Sequence, residues 1–322
     1  MLIALGRLAR RWAASINPWT NVYGLARTLL AVGTGITLAF NHSTILFRAT
    51  PGVASVPFCH GPAQVGIFCI FSTGQLDIAR WLAVAILVVV ASGWRPRLTG
   101  LPHWWISFSL QASSVALDGG DHVTAVLTLL MLPVALTDGR RWHWQGAPAV
   151  PPRGRDELKR ILALSSLIAI RIQVAGIYLH TSLAKFRVEE WADGTALYYW
   201  WTDPTIGVAD WLRPFLMPML THSSVALLTW GAILLELTLF MGLVMPRAYR
   251  SVLLVAGIAF HVAIAIMMGL ISFSMAMFAA LVLYLRPVEK EFALAVLRKP
   301  LLEWLRWSGL RRLPLGRVDA SI

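Results

Sequence analysis

Apolar runs long enough to cross a lipid bilayer recur along this chain, and they leave few folds open to it. A helix crossing the ~30 Å hydrocarbon core needs about 20 mostly apolar residues, fewer where its ends are enclosed by a bundle. Eight segments fit that pattern: 22–40, 79–93, 103–117, 122–137, 158–184, 223–244, 251–268 and 271–285. With 57% hydrophobic and 14% charged residues, the chain lies outside the balance of a soluble domain. The expected fold is therefore all-α, a polytopic integral membrane bundle of about eight transmembrane helices. No repeat or polar linker divides it. Residues 1–20 read as an amphipathic interfacial segment, 21–286 as the transmembrane domain and 287–322 as a basic tail.

The 28 basic and 16 acidic side chains leave a net charge of +12. In a membrane protein such an excess sets orientation and is no sign of nucleic-acid binding. Placing the N-terminus in the cytoplasm puts 21 of the 28 Lys and Arg there, among them Arg95, Arg97, Arg140, Arg141, Arg247 and Arg250. Both termini are then cytoplasmic and the number of spans is even. The long connections 41–78 and 186–222 become outer loops, the first holding the two cysteines, Cys59 and Cys69. On an oxidising side a disulfide between them is the expected state, ahead of thiol redox chemistry. No Cys/His set with zinc-ligand spacing occurs, so no metal site is expected.

Ionisable groups at membrane depth are costly and mark packing or function. Arg171, Glu236 and His261 lie near the middle of their runs, and Arg171 can neutralise Glu236 if the two helices adjoin. At ~100° per residue, Arg171, Tyr178, Ser182 and Lys185 fall within about 60° of one another, a polar stripe ending at Lys185 on the outer side. Lys185 alone reads equally as a lysine snorkelling to the interface. The turn LDGGDHV places Asp118, Asp121 and His122 on the same side as Lys185, with Asp121 suited to capping the next helix.

Two parts of the sequence resemble known families. NPWTNVYGLARTLLAVGT at 17–34, with SGWRPRLTGLPHWWISFSLQASSVALDGGDHVTAVLTLLMLPVALTD at 92–138, resembles the sporulation-delaying protein B family of bacterial membrane proteins. YLHTSLAKFRVEEWADGTALYYW at 178–200, with FHVAIAIMMGLISFSMAMFAAL at 260–281, resembles the HTTM family, the membrane domain shared with vitamin K-dependent gamma-carboxylases. The first resemblance implies maturation of a secreted antimicrobial peptide from its precursor in a bacterial cell membrane, together with a partner of the sporulation-delaying protein A type. The second implies a lysine base, matching Lys185, that deprotonates a reduced quinone, with His122 matching a second catalytic residue. Ala184 stands where some carboxylases carry a further lysine.

Three classes of function follow: a maturation factor for a toxin peptide, a quinone-dependent carboxylase-like enzyme, or a non-catalytic scaffold or immunity-like protein. A protease is not expected, because the chain has no HExxH, no GxSxG and no paired intramembrane aspartates.

Overall fold

The computed structural model describes residues 2–49, 56–146 and 154–293, and among these it contains no β-strand. Most of the expected basic tail lies outside the described residues. Helix α1, Leu2–Ser15, precedes eight helices at the eight apolar runs: α2, Asn21–Phe40; α3, Leu76–Ser92; α4, Pro96–Ser113; α5, Gly119–Thr137; α6, Arg155–Lys185; α7, His222–Met241; α8, Arg247–Met268; and α9, Ile271–Leu285. Six segments are long and apolar enough to cross a membrane, containing α2, α3, α5, α6, α7 and α8. Helix α9 is shorter, and α4 carries Arg97, His103, Gln111 and three serines. A helix stands at each of the eight apolar runs, while length and apolarity alone identify six spans.

The shortest of the eight is also the most enclosed. Helix α9 packs against α2, α5, α6 and α8, and every residue from Ala279 to Leu285 is buried. A helix apolar all round and surrounded by other helices meets protein on every side. Its neighbour α8 is the opposite case, with Leu253, Gly257 and His261 buried and Val252, Val255 and Ile266 facing outward. One core joins α2, α5, α6 and α9, with contributions from α7 and α8; a second joins α2, α3, α4 and the first long loop. Cys59 and Cys69 form a disulfide in that loop, their Cα atoms 5.6 Å apart. The loop is pinned to α4 by the Trp105 indole donating to the Val65 carbonyl and by the Ile67 amide donating to Ser109 Oγ.

The helices alternate in direction, so the start of α2 and the end of α9 meet at one end of the bundle, where Thr20 Oγ1 donates to the Val288 carbonyl at 2.7 Å. A buried polar lock holds this end. Arg27 Nη2 donates to Thr99 Oγ1 at 2.6 Å and Nη1 to the Val90 carbonyl at 3.3 Å, while Arg140 pairs with buried Asp138 at 2.8 Å. His143, fully buried, lies beside both Arg27 and Thr28. The ring occupies the space over Gly93, whose φ is +88°. A Cβ there would stand 2.4 Å from the imidazole, so only glycine serves.

Burial, with Arg27, Arg140 and His103 adding to it in that order, pushes His143 down to about 2. The folded protein therefore refuses a proton that the unfolded chain accepts near its ordinary value of about 6.5. Stability contributed by the neutral ring is complete above that value and falls as pH drops below it, by about 2 kcal/mol at pH 5. The melting temperature in detergent is expected to fall between pH 7.5 and 5, and to fall less for His143→Gln. Equal falls in the two proteins would remove His143 from the explanation.

Candidate functional site

Four side chains from three helices meet toward the opposite end of the bundle. Each helix presents its member by regular spacing on a buried face: Val225, Thr229, Ile233 and Glu236 on α7; Leu253, Gly257 and His261 on α8; Val174, Tyr178 and Ser182 on α6, with Lys185 in its last turn. A helix C-terminus favours a cation, which suits Lys185 to its place.

Lys185 Nζ donates to both oxygens of Glu236, at 2.7 Å to Oε1 and 2.6 Å to Oε2. The side chains are 19% and 9% exposed, so this is no surface pair, and the Trp191 ring lies 5.1 Å from the ammonium. One helical face away toward α8, the Tyr178 hydroxyl and His261 Nε2 are 3.2 Å apart, and Ser182 Oγ donates to the Tyr178 carbonyl at 2.7 Å. Glu236 acts electrostatically on Tyr178 and Lys185 on His261, so the two pairs form one cluster. The His261 ring is clasped by Phe260 and Phe273, and its Nδ1 is buried with no hydrogen-bond partner.

The turn before α5 does structural work close to this cluster. Asp118, rather than Asp121, is the N-cap: its carboxylate accepts from the amides of Gly120 and Asp121, and the Asp121 carboxylate accepts from the Asp118 amide, closing a capping box. Asp118 also accepts from Ser272 Oγ at 3.0 Å, next to the Phe273 that touches His261. His122 lies on the exposed side of the same helical turn, outside the contacts of the Lys185 cluster.

The expected Arg171–Glu236 pair does not form. Lys185 follows Arg171 by fourteen residues on α6, about 21 Å along the axis, and Glu236 follows His222 by the same number on α7. Antiparallel helices with flush ends would set Glu236 level with Arg171. In the structure Glu236 meets Lys185 instead. The polar stripe accordingly divides, with Tyr178, Ser182 and Lys185 in the cluster and Arg171 facing Arg247, Arg250 and Tyr284 toward the other end. Sequence reasoning also passed over Trp191, Ser272 and Phe273, whose roles depend on tertiary packing. Among the described residues no group of three or more His, Cys, Asp and Glu comes together as a metal site.

Above the cluster, the connection between α6 and α7 is tied down rather than loose. The Trp230 indole donates to the Ala192 carbonyl, the Leu197 amide to Thr229 Oγ1, and the Ala209 amide to the Met267 carbonyl. It leaves Tyr198, Tyr199, Trp200, Trp211 and Phe215 exposed. An open cleft of about 250 Å³ lies beside Tyr198 and Tyr199.

The fold and this cluster define a multi-pass helical membrane protein with a largely buried ion-pair site close to one end of its bundle. Two proteins of Bacillus subtilis (strain 168) are similar to it over most of their length. An uncharacterized protein, YitO, is 39% identical over 301 residues, 93% of this chain and 96% of the relative. Sporulation-delaying protein SdpB is 34% identical over 281 residues, 86% and 85% respectively. The chain belongs to the sporulation-delaying protein B family. No family model matches it, and no solved structure does.

Removing one member of a buried pair strands the charge of the other. Glu236→Ala is expected to lower stability by about 3 kcal/mol, read as an earlier unfolding transition in detergent. An unchanged transition would mean that the Lys185 ammonium reaches water without its partner.

Proposed function

We propose that this chain is the membrane subunit of a system that matures a secreted toxin peptide, working with a partner of the sporulation-delaying protein A type, and that the Lys185–Glu236 pair is its working centre. The observation that carries the reading is the pair itself: a largely buried ammonium and carboxylate beneath a tethered loop of exposed aromatics, in a chain of this family. Exposed aromatic side chains offer a contact surface for a peptide or partner. The charge pattern supports a bacterial membrane location with both termini cytoplasmic, which puts the aromatic loop and Lys185 on the outer side, where a secreted precursor arrives.

The pair can open onto an incoming polar group, Lys185 donating to a carbonyl or carboxylate and Glu236 accepting from an amine or amide. Tyr178 and His261, held side by side, keep the inner wall polar and supply a hydroxyl and an imidazole within reach of the pair. Lys185 serves as a base only if the pair breaks or Glu236 takes its proton. The arrangement as it stands presents a cation, which does not fit a reduced quinone awaiting deprotonation. His122 enters as a residue for a partner or peptide to meet at the exposed turn, outside the Lys185 cluster.

The test is mass spectrometry of the secreted peptide from cells that make precursor and partner with the wild-type chain, without it, or with Lys185→Ala. Mature peptide is expected only with the wild type. The variant, at an unchanged membrane level, should yield at least about tenfold less, the loss of one charge-assisted hydrogen bond at the site. Full maturation by Lys185→Ala would return the lysine to a packing role.

A further inference from the structure

The other end of the bundle holds a second polar assembly, unrelated to the Lys185 cluster. Arg171, Arg247, Arg250 and Arg286 converge on a cavity of about 210 Å³ whose only carboxylate among the described residues is that of Glu289. Glu289 lies 3.4 Å from Arg247 and offsets its charge. Arg250 is held in place by carbonyls, Nε donating to Met245 at 3.0 Å and Nη2 to Leu243 at 3.4 Å. Carbonyl bonds orient a guanidinium without neutralising it. Arg171 makes no hydrogen bond among the described residues, its Nε is buried, and its nearest charged neighbours include Arg250 and Arg247, which repel it.

Basic residues at helix ends are ordinary topology signals, and Arg247, Arg250 and Arg286 satisfy that description. Arg171 does not. It lies sixteen residues after Arg155 within a single long helix, where a cation without a partner is costly and is retained for a ligand or a pathway. Its surroundings identify the ligand's chemistry. The guanidinium groups demand an anion with several acceptor oxygens, for which a phosphate is the natural match. The remaining wall is apolar, built from Leu164, Leu167, Ile168, Leu283 and Leu285, which a free ion would leave unused. An amphiphile satisfies both halves.

We infer that this cavity binds the phosphate headgroup of an anionic phospholipid, with Arg171 as the central contact and the leucine wall receiving the upper part of an acyl chain. The site joins α6, α8 and the segment after α9, so an occupied cavity ties together three parts of the chain that meet here through few other polar contacts. It stands apart from the proposed maturation role, and neither depends on the other.

The full chain, reconstituted in nanodiscs of phosphatidylcholine with or without 20% phosphatidylglycerol (a probe composition), tests the inference by thermal unfolding and by lipid retention in native mass spectrometry. Phosphatidylglycerol is expected to raise the melting temperature and to be retained in preference to phosphatidylcholine. Arg171→Gln should weaken that preference by about tenfold or more, the scale of one lost charge-assisted contact. Should Arg171→Gln fold poorly, Arg247→Gln, at the exposed start of α8, should weaken the same preference, while Arg171→Lys keeps part of it. Equal retention of the two lipids, or an undiminished preference in both glutamine variants, overturns the inference. So does inorganic phosphate in phosphatidylcholine discs if it reproduces the whole stabilisation, since the ligand is then a free anion.

Discussion

A bilayer offers no water to a polar group, and the arrangement of this bundle follows from how its buried polar side chains find one another. Lys185 and Glu236 link α6 to α7; Tyr178 and His261 hold α6 to α8; the Tyr284 hydroxyl, donating toward the Leu239 and Phe240 carbonyls, holds α9 to α7. At the other end, Arg27 reaches both Thr99 on α4 and Val90 on α3, with His143 packed over Gly93. Apolar contact fills the space between helices. Lipid tails compete well for apolar surface, so the polar links give the packing its register.

That division explains what was legible in the amino-acid sequence. Each of the eight apolar runs became a helix, because long hydrophobic stretches have few alternatives in a membrane. The limits of α4 moved, from the expected 103–117 to Pro96–Ser113, since the apolar count missed a helix that starts with a proline in its first turn and keeps a polar face buried on α5. The disulfide was visible from two cysteines in one loop. The members of the central site were visible as well, as costly residues in apolar runs. Their pairing was not. Two basic residues fourteen apart on one face of α6 were both suited to Glu236, and choosing between them required the packing of α7 on α6, which apolar runs do not encode. His143 gave still less warning, because an imidazole in a connection between spans reads as exposed until its tryptophan neighbours fold it under Gly24 and Gly93.

The two ends of the molecule thus carry polar assemblies of different character. At one, ammonium and carboxylate satisfy each other beneath exposed aromatic side chains. At the other, four guanidinium groups and, among the described residues, one carboxylate line a part-apolar cavity. Family membership by itself assigns no chemistry. The chemistry has to be argued from the pair.

A buried ion pair can be replaced by apolar side chains without loss of stability, because the desolvation cost disappears along with the attraction. The double variant Lys185→Met with Glu236→Leu separates packing from function for that reason. Unfolding temperature and mature peptide yield, measured on the same protein, form the most direct test. The account predicts a protein about as stable as wild type that yields no mature peptide. A stable double variant that matures the peptide normally would contradict it.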